Sequence, residues 1–445
     1  MIELNKIELI VDNENKNKFG EVFTNIELIS EMLIDVDCWN DPNKNYYDPT
    51  CGYGYFLYFI YEILMGNGYK YKGYENESGL KYIILNDSDR EKHIIENMLY
   101  GTDVQQNSID ICEKLFRSDL YKSNFKCVDF LDYDSGIKFD NIFGNPPFED
   151  YRGGKRKAKN HNLWRPIILK CYSMLKDNGN MSFVCPQSWM SSSKTNSEMF
   201  NIFNDNDVLS LNINECRKYF KGVGSSFSYF FIKKMKSNIS TRLICEYSGK
   251  KYNSNVILES NKFLPLLLND LSIGIINKVI FSDKDKFDLK FDSYLHAYTK
   301  KINLRKESND EFCFKVWHTP NSILWSNKEH LTQNSVKVLI PISTYYEKML
   351  IDVAGNTQGM GYIIVDDMNS AELMKKVLML KLYRFVVNIT RWSNWNSPDI
   401  LKSLPALDLS IDWSDDLVYE YFNLTEDEID LIEDVINNKK KKRVN

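Results

Sequence analysis

Along the first half of the chain, apolar and polar positions alternate between two periods, with short strand-like runs each leading into a helical stretch. Residues 45–48 enter a glycine-bearing turn, 56–65 are amphipathic with a helical period, 98–101 are strand-like and 108–116 helical. The alternation continues with strand-like runs at 125–130 and 139–144, a helix over 164–175, a turn at 176–179, a strand over 180–185 and a late aromatic strand over 226–233. Strand-then-helix repetition predicts an α/β fold built on a parallel sheet covered on both faces.

After residue 236 the apolar runs become shorter and irregular, with many Tyr and Trp, which places a domain boundary near Ser237 and predicts domains over 1–236 and 237–445. In the second of these, residues 371–387 read as one helix with Ser370 as N-cap and Glu372 in the first turn, where a negative charge suits the helix dipole. Residues 415–436 read as a second, acidic helix. Two domains also suit the 445-residue length, because single cores stop growing at roughly 250 to 300 residues.

Composition adds that the chain is globular, being 43% hydrophobic and 26% charged. Residues 1–20 contain no uninterrupted apolar stretch and no later run approaches the roughly eighteen residues of a membrane span, so neither export nor a membrane partner is expected. Nine scattered cysteines without CxxC spacing read as reduced thiols, with no metal site, in a cytoplasmic setting: nucleoid-associated in a bacterium, or the host cell if the source is viral.

The net charge of -5 argues against a polyanionic partner only until its distribution is read: residues 404–436 carry eleven acids and no Lys or Arg, so the rest of the chain sums to +6. Basic clusters at Lys155, Arg156, Lys157 and Lys159, and at Lys233, Lys234 and Lys236, leave a cationic face for phosphates. The terminal run 439–443 is also basic, although such tails are usually only solvated.

Three sequence features carry chemistry. Asp48-Pro49-Thr50-Cys51-Gly52-Tyr53-Gly54 lies between a strand and a helix, where glycines let backbone approach a ligand and the crevice sits at the carboxyl ends of the strands. Standing alone it could be a simple glycine turn. Asp103, ending a strand and preceding a helix, can accept from both ribose hydroxyls of a nucleoside cofactor; Glu75 competes, having the more usual distance of about twenty residues from the loop. Asp129 and Phe130 offer a carboxylate to an adenine amine and a ring to its face, although an ordinary strand end reads the same way.

The most specific signal is Asn145-Pro146-Pro147-Phe148, directly after the strand at 139–144. An amine conjugated to a purine is a poor nucleophile until its N–H bonds are drawn into acceptors, for which the Asn145 side-chain oxygen and the Pro146 carbonyl serve. Tandem prolines hold Asn145 extended, and Phe148 can stack on the base for about 1–3 kcal/mol.

In this order the motifs resemble the gamma class of DNA adenine-N6 methyltransferases, the TaqI-type enzymes and the methylase parts of type IIG restriction-modification enzymes. The resemblance implies a Rossmann-like S-adenosylmethionine-dependent methyltransferase domain and a C-terminal mixed α+β target-recognition domain. It implies that S-adenosylmethionine is held by Thr24, Asp48, Pro49, Cys51, Gly52, Gly54, Asp103, Asp129 and Phe130, with Asn25 standing where the family has proline after Phe23-Thr24. It also implies that Phe227, in the late strand after Gly224 and Ser225, packs on a flipped base opposite Phe148, a position that core packing explains equally well. Trp395 to Asp399 and Leu404-Pro405 are similar to the ending of the family's specificity domains.

The expected activity is therefore methylation of adenine N6 in double-stranded DNA, in a restriction-modification, defence or viral setting. Residues 149–162 could close on the DNA backbone, or be an ordinary solvated loop. The stretch before Phe23 is too short for a nuclease, so any cognate restriction endonuclease is expected as a separate chain. RNA adenine or a protein glutamine is the alternative acceptor, because the same acceptor platform suits any conjugated amine. An inactive DNA-specificity subunit is the rival from another class.

Overall fold

In a computed structural model, the residues that can be described are 24–67, 69–71, 74–76, 79–148, 162–220, 226–258, 262–392 and 395–444, with side chains withheld at 69–71, 74–76, 194 and 438–444. Phe23, Gly224, Ser225, the basic cluster at 155–159 and all of the loop 149–162 except Asn162 lie outside them, as do the side chains of the basic tail at 439–443. By compactness the chain forms two units. The first comprises Met1–Trp189, Thr195–Cys245 and Asn253–Asn261, and the second Met190–Lys194, Glu246–Tyr252 and Lys262–Asn445.

The first unit is built on strands β1 (Tyr46–Asp48), a separate ribbon of β2 (Tyr69–Tyr71) and β3 (Tyr74–Asn76), then β4 (Leu99–Asp103), β5 (Phe125–Cys127), β6 (Phe139–Gly144), β7 (Leu175–Pro186), β8 (Asp207–Asn212) and β9 (Phe227–Lys233), with β10 (Thr241–Tyr247) and β11 (Lys250–Val256), of which Glu246–Tyr252 counts with the second unit. Apart from the ribbon they form one nine-stranded sheet in the order β11-β10-β8-β9-β7-β6-β1-β4-β5. The strands from β5 to β7 pair in parallel, and β9 is inserted antiparallel between β7 and β8. The sheet thus runs on past Ser237 through β10, which pairs in parallel with β8.

Helices α1 (Ile26–Met32), α2 (Tyr55–Met65), α3 (Asp87–His93), α4 (Gln106–Leu115), α5 (Trp164–Met174) and α6 (Ser197–Asp205) accompany the sheet. Every residue of β6 is buried, as a strand covered on both faces requires. One core joins Leu28 and Ile29 of α1, Leu57 and Ile60 of α2, Leu99 of β4 and Phe143 of β6.

The turn expected at 176–179 is instead absorbed into β7, with Asn178 at φ 60 and the pairing register shifting between Phe139 and Asn141. A bulge, with Asn178 donating to the Lys234 carbonyl and Lys234 to that of Gly179, keeps the strand continuous.

The second unit contains α7 (Asp270–Val279), β12 (Leu304–Arg305), β13 (Phe314–Thr319), β14 (Ser322–Ser326), β15 (Lys337–Pro341), β16 (Leu350–Asp352), β17 (Gly355–Asn356) and β18 (Met360–Ile364), then α8 (Met368–Leu378), α9 (Lys381–Ile389), α10 (Pro398–Lys402), α11 (Asp415–Tyr421) and α12 (Glu426–Val444). Its strands make a four-stranded sheet, β12-β14-β13-β17, and a three-stranded one, β16-β15-β18.

The helix expected over 371–387 is two helices, α8 and α9, and its N-cap is Asp367, which accepts from Ser370 N–H at 2.7 Å. The acidic stretch 415–436 is likewise two helices, parted at Asn423 with φ 50. Its carboxylates find lysines within the unit: Glu433 pairs with Lys381 at 2.8 Å, Asp434 with Lys250 and Glu428 with Lys278.

Candidate active site

Strand β1 sits between β4 and β6, and the chain fills one side of it before crossing to the other. Such a reversal opens a crevice outside the carboxyl ends of the strands, which is where open α/β sheets take ligands. Here β1 ends at Asp48 and β6 at Gly144, so the glycine loop and the Asn145-Pro146-Pro147-Phe148 segment flank that crevice.

The glycine loop is tied down from below. Cys51 N–H donates to the Thr102 carbonyl at 2.9 Å, and Thr102 Oγ1 donates to the Pro49 carbonyl at 2.8 Å. Gly54, at φ +81, starts α2, and a β-carbon there would stand 3.0 Å from Cys112 Sγ, so both conformation and space favour glycine. A β-carbon on Gly52 would meet nothing within 4 Å, leaving the outer face of the loop open. The Cys51 thiol hydrogen-bonds to Cys112, and that bond with burial pushes its pKa well up, so it stays protonated and packs as a small apolar group. None of the nine cysteines is in a disulfide.

Carboxylates line the strand ends. Asp48 is 2% exposed, accepts from Thr50 N–H at 3.0 Å, and is pushed up to about 8 by burial, with the charge of Asp103 acting in the same direction. Asp103 accepts from Gly52 N–H at 3.0 Å and from Gln105 N–H at 2.9 Å, and burial raises its pKa too. Its rival Glu75 belongs to the β2-β3 ribbon, outside the large sheet.

Asp129 accepts from Leu131 N–H in the turn after β5, whereas Phe130 is 2% exposed and packs on Tyr47 at a ring separation of 5.9 Å. Sequence reasoning missed Lys170 on α5. Its ammonium donates to the carbonyls of Phe130, Leu131 and Tyr133 at 2.7, 2.9 and 2.6 Å and so pins this turn. A lone Lys on an amphipathic helix gives no such signal.

Across the crevice, Asn145 Nδ2 donates to Thr24 Oγ1 at 3.2 Å, which brings the N-terminal threonine and the tetrapeptide together. Asn25 caps α1 by accepting from Glu27 N–H at 2.8 Å, so its side chain starts the helix. Gly144 is constrained by space: a β-carbon there would stand 3.0 Å from Asp48 Oδ1 and 3.2 Å from the Phe183 ring.

Pro146 is buried; Pro147 and Phe148 are half-buried. Phe227 is 1% exposed, its ring lies 4.8 Å from that of Phe148 and 4.4 Å from that of Phe220, and it forms the floor under Phe148 rather than a facing wall. A base stacked between two rings needs them about 7 Å apart, twice an ordinary ring contact.

The acceptors at successive strand ends fit S-adenosylmethionine: ribose hydroxyls and an adenine amine donate, the sulfonium and ammonium are cations, and the open face over Gly52 leaves room for backbone contact. The sheet order and this edge define a Rossmann-like α/β fold with its ligand crevice at the switch point of the sheet. More narrowly, residues 74–220 match the family described as Eco57I restriction-modification methylase, a span that contains Asp103, Asp129, Phe130 and Asn145–Phe148 but neither Asp48 nor Phe227.

Among curated proteins none matches the sequence. Among solved structures, the nuclease-deletion mutant of the Type ISP restriction-modification enzyme LlaGI, in complex with a DNA substrate mimic, aligns with a TM-score of 0.50 at 12% identity, covering 90% of this chain and 54% of that one. The Type IIL restriction-modification enzyme MmeI in complex with DNA gives 0.49 at 12%, covering 87% and 69%. The Type I restriction enzyme EcoKI M protein gives 0.40 at 14%, covering 55% and 52%. At these identities the likeness is one of fold, and the chain spans about half the length of the LlaGI and EcoKI structures. Among the described residues no helix is long and apolar enough to cross a membrane, and no cluster of His, Cys, Asp and Glu could hold a metal.

Proposed function

We propose that the protein methylates the exocyclic N6 of an adenine swung out of double-stranded DNA. The observation that carries this reading is Asn145: it stands at the carboxyl end of β6, beside the switch-point crevice, with its amide held by Thr24 and two prolines behind it. S-adenosylmethionine, bound along Asp48, Asp103 and Asp129, supplies a methyl group on a sulfonium that is already a good leaving group.

The chain's own residues then act on the amine. The Asn145 amide oxygen and the Pro146 carbonyl accept its two N–H bonds, drawing nitrogen toward tetrahedral geometry and stabilising the positive charge that develops. Phe148, backed by Phe227, offers a ring face to the base, offsetting part of the few kcal/mol that flipping costs. The second unit reads the DNA site.

Sequencing that detects modified bases, on DNA from cells making this protein or Asn145→Ala, tests the reading. N6-methyladenine at one short motif, lost in the variant, is the expected result. Unmodified DNA would overturn it and move RNA adenine or protein glutamine to the front.

A further inference from the structure

We propose that His318, together with the aromatic and basic segment over residues 293–306, forms the surface of the second unit that contacts DNA, with His318 reading a hydrogen-bond acceptor on a base edge. This inference rests on the DNA-methylation reading and names the residues that would give it sequence specificity.

The imidazole of His318 is held in a defined state. Thr357, fully buried, places Oγ1 2.8 Å from His318 Nδ1 and accepts from Gly359 N–H at 3.2 Å. A buried hydroxyl proton needs an acceptor, and His318 Nδ1 is the acceptor within reach. The ring proton therefore sits on Nε2, and half-burial together with the nearby His296 lowers the pKa of His318, keeping the ring neutral.

The backbone around it is built to hold this geometry. Thr357 N–H donates to the Trp317 carbonyl at 3.0 Å, and a β-carbon on Gly359 would fall 2.2 Å from the His318 carbonyl, so only glycine lets this turn close on the strand. A neutral imidazole in a fixed tautomer is a single directional donor, suited to guanine O6 or N7, adenine N7 or thymine O4 and not to the cytosine amine.

What surrounds His318 suits a polyanion. Tyr298, 75% exposed, sets its ring edge-on to His318 at 6.2 Å and to His296 at 5.9 Å. Gln358 Oε1 accepts from Ala297 N–H at 2.9 Å, which ties this segment to the turn that holds His318. From Ser293 to Lys306 the chain carries Lys300, Lys301, Arg305 and Lys306 and no acid, in a protein whose net charge is -5. Exposed rings beside fixed donors and unopposed cations are the ingredients of base contact flanked by phosphate contact.

The test is retention of a randomised duplex pool by the full chain, with bound DNA sequenced and affinity followed against salt. The wild type should enrich a motif. His318→Ala should flatten the base preference at one position by about tenfold, the low end of what one mismatched pair gives. Lys300→Ala/Lys301→Ala should keep the motif while lowering the slope of log affinity against log salt by about 2, near one unit per phosphate lost.

Both lysines are exposed, so this second variant decides the matter even if His318→Ala fails to fold. Variants that enrich the same motif with the same salt slope would overturn this surface and leave DNA reading intact. A wild-type chain that retains no duplex would overturn the DNA reading, and this surface with it.

Discussion

The crevice edge of the large sheet and the His318 surface of the second unit hold their polar groups by different means. Along the sheet edge, Asp48, Asp103 and Asn145 each sit at the end of a strand whose position is fixed by its neighbours, and Asp129 follows β5 in a pinned turn. In the second unit the fixing bonds tie loops to a strand or to one another: Thr357 to His318 of β13, Gln358 to Ala297, His330 to Asp292. A strand end keeps its place when its side chain is cut back, so substitution there should remove chemistry and spare the framework. A bond between loops is itself framework, so substitution there alters geometry as well.

The sharpest way to break this contrast is Asn145→Ala. Losing one preorganised acceptor should slow methyl transfer at least about a hundredfold, while S-adenosylmethionine affinity and thermal unfolding stay near those of the wild type. Single-turnover rates beside a calorimetric titration check it, and near-normal turnover would sink the assignment of Asn145. Next in size, Asp103→Ala removes a carboxylate that also holds Gly52 N–H. Charge-assisted bonds of about 1.5–3 kcal/mol predict roughly ten- to a hundredfold weaker cofactor binding, and unchanged affinity would remove Asp103 from the site. Lys170→Met should cost less, a fewfold in the same titration, because it only loosens the turn that carries Asp129.

What the sequence disclosed follows the same division. The strands at β1 and β6 and the loops after them were legible because a short apolar run followed by Asp-Pro or Asn-Pro-Pro leaves the backbone few alternatives, and β4 because its compact run leads into a helix. Lys170 was not, since its role depends on carbonyls 37–40 residues away, whereas the packing of Phe227 was one of the two readings that its strand allowed. The single helix expected over 371–387 failed for a related reason. No Gly or Pro marks the break, yet Leu380 turns extended at ψ 144 and the two halves bury different faces against the second unit's core. The β10-β11 extension past Ser237 was hidden because the residues buried in β10, Thr241, Leu243, Cys245 and Tyr247, form a short run in which Thr241 is polar and Ile244 breaks the apolar-polar alternation.

The comparison that sets the two units side by side most directly is the pH dependence of a buried acid and a buried base. Burial pushes Asp48 in the first unit up to about 8 and holds Lys337 in the second down to about 8, both neutral forms being favoured in the folded chain. For Asp48 the folded pKa lies above the unfolded value near 3.9, so its contribution to stability is full below about pH 4 and is lost as pH rises to about 8. For Lys337 the folded pKa lies below the unfolded value near 10.4, so its contribution is full above about pH 10 and is lost as pH falls to about 8. Asp48→Asn, which keeps an acceptor for Thr50 N–H, should therefore gain stability over the wild type as pH rises from 5 to 8. Lys337→Met should gain as pH falls from 10 to 8, reduced by the lost bond to Thr332 at 2.8 Å. Unfolding midpoints of the three proteins measured from pH 5 to 10 give two difference curves of opposite slope if both groups are as buried as the packing makes them. A flat curve for either variant would mean that its group reaches solvent in the folded state, and would withdraw the electrostatic account of that unit alone.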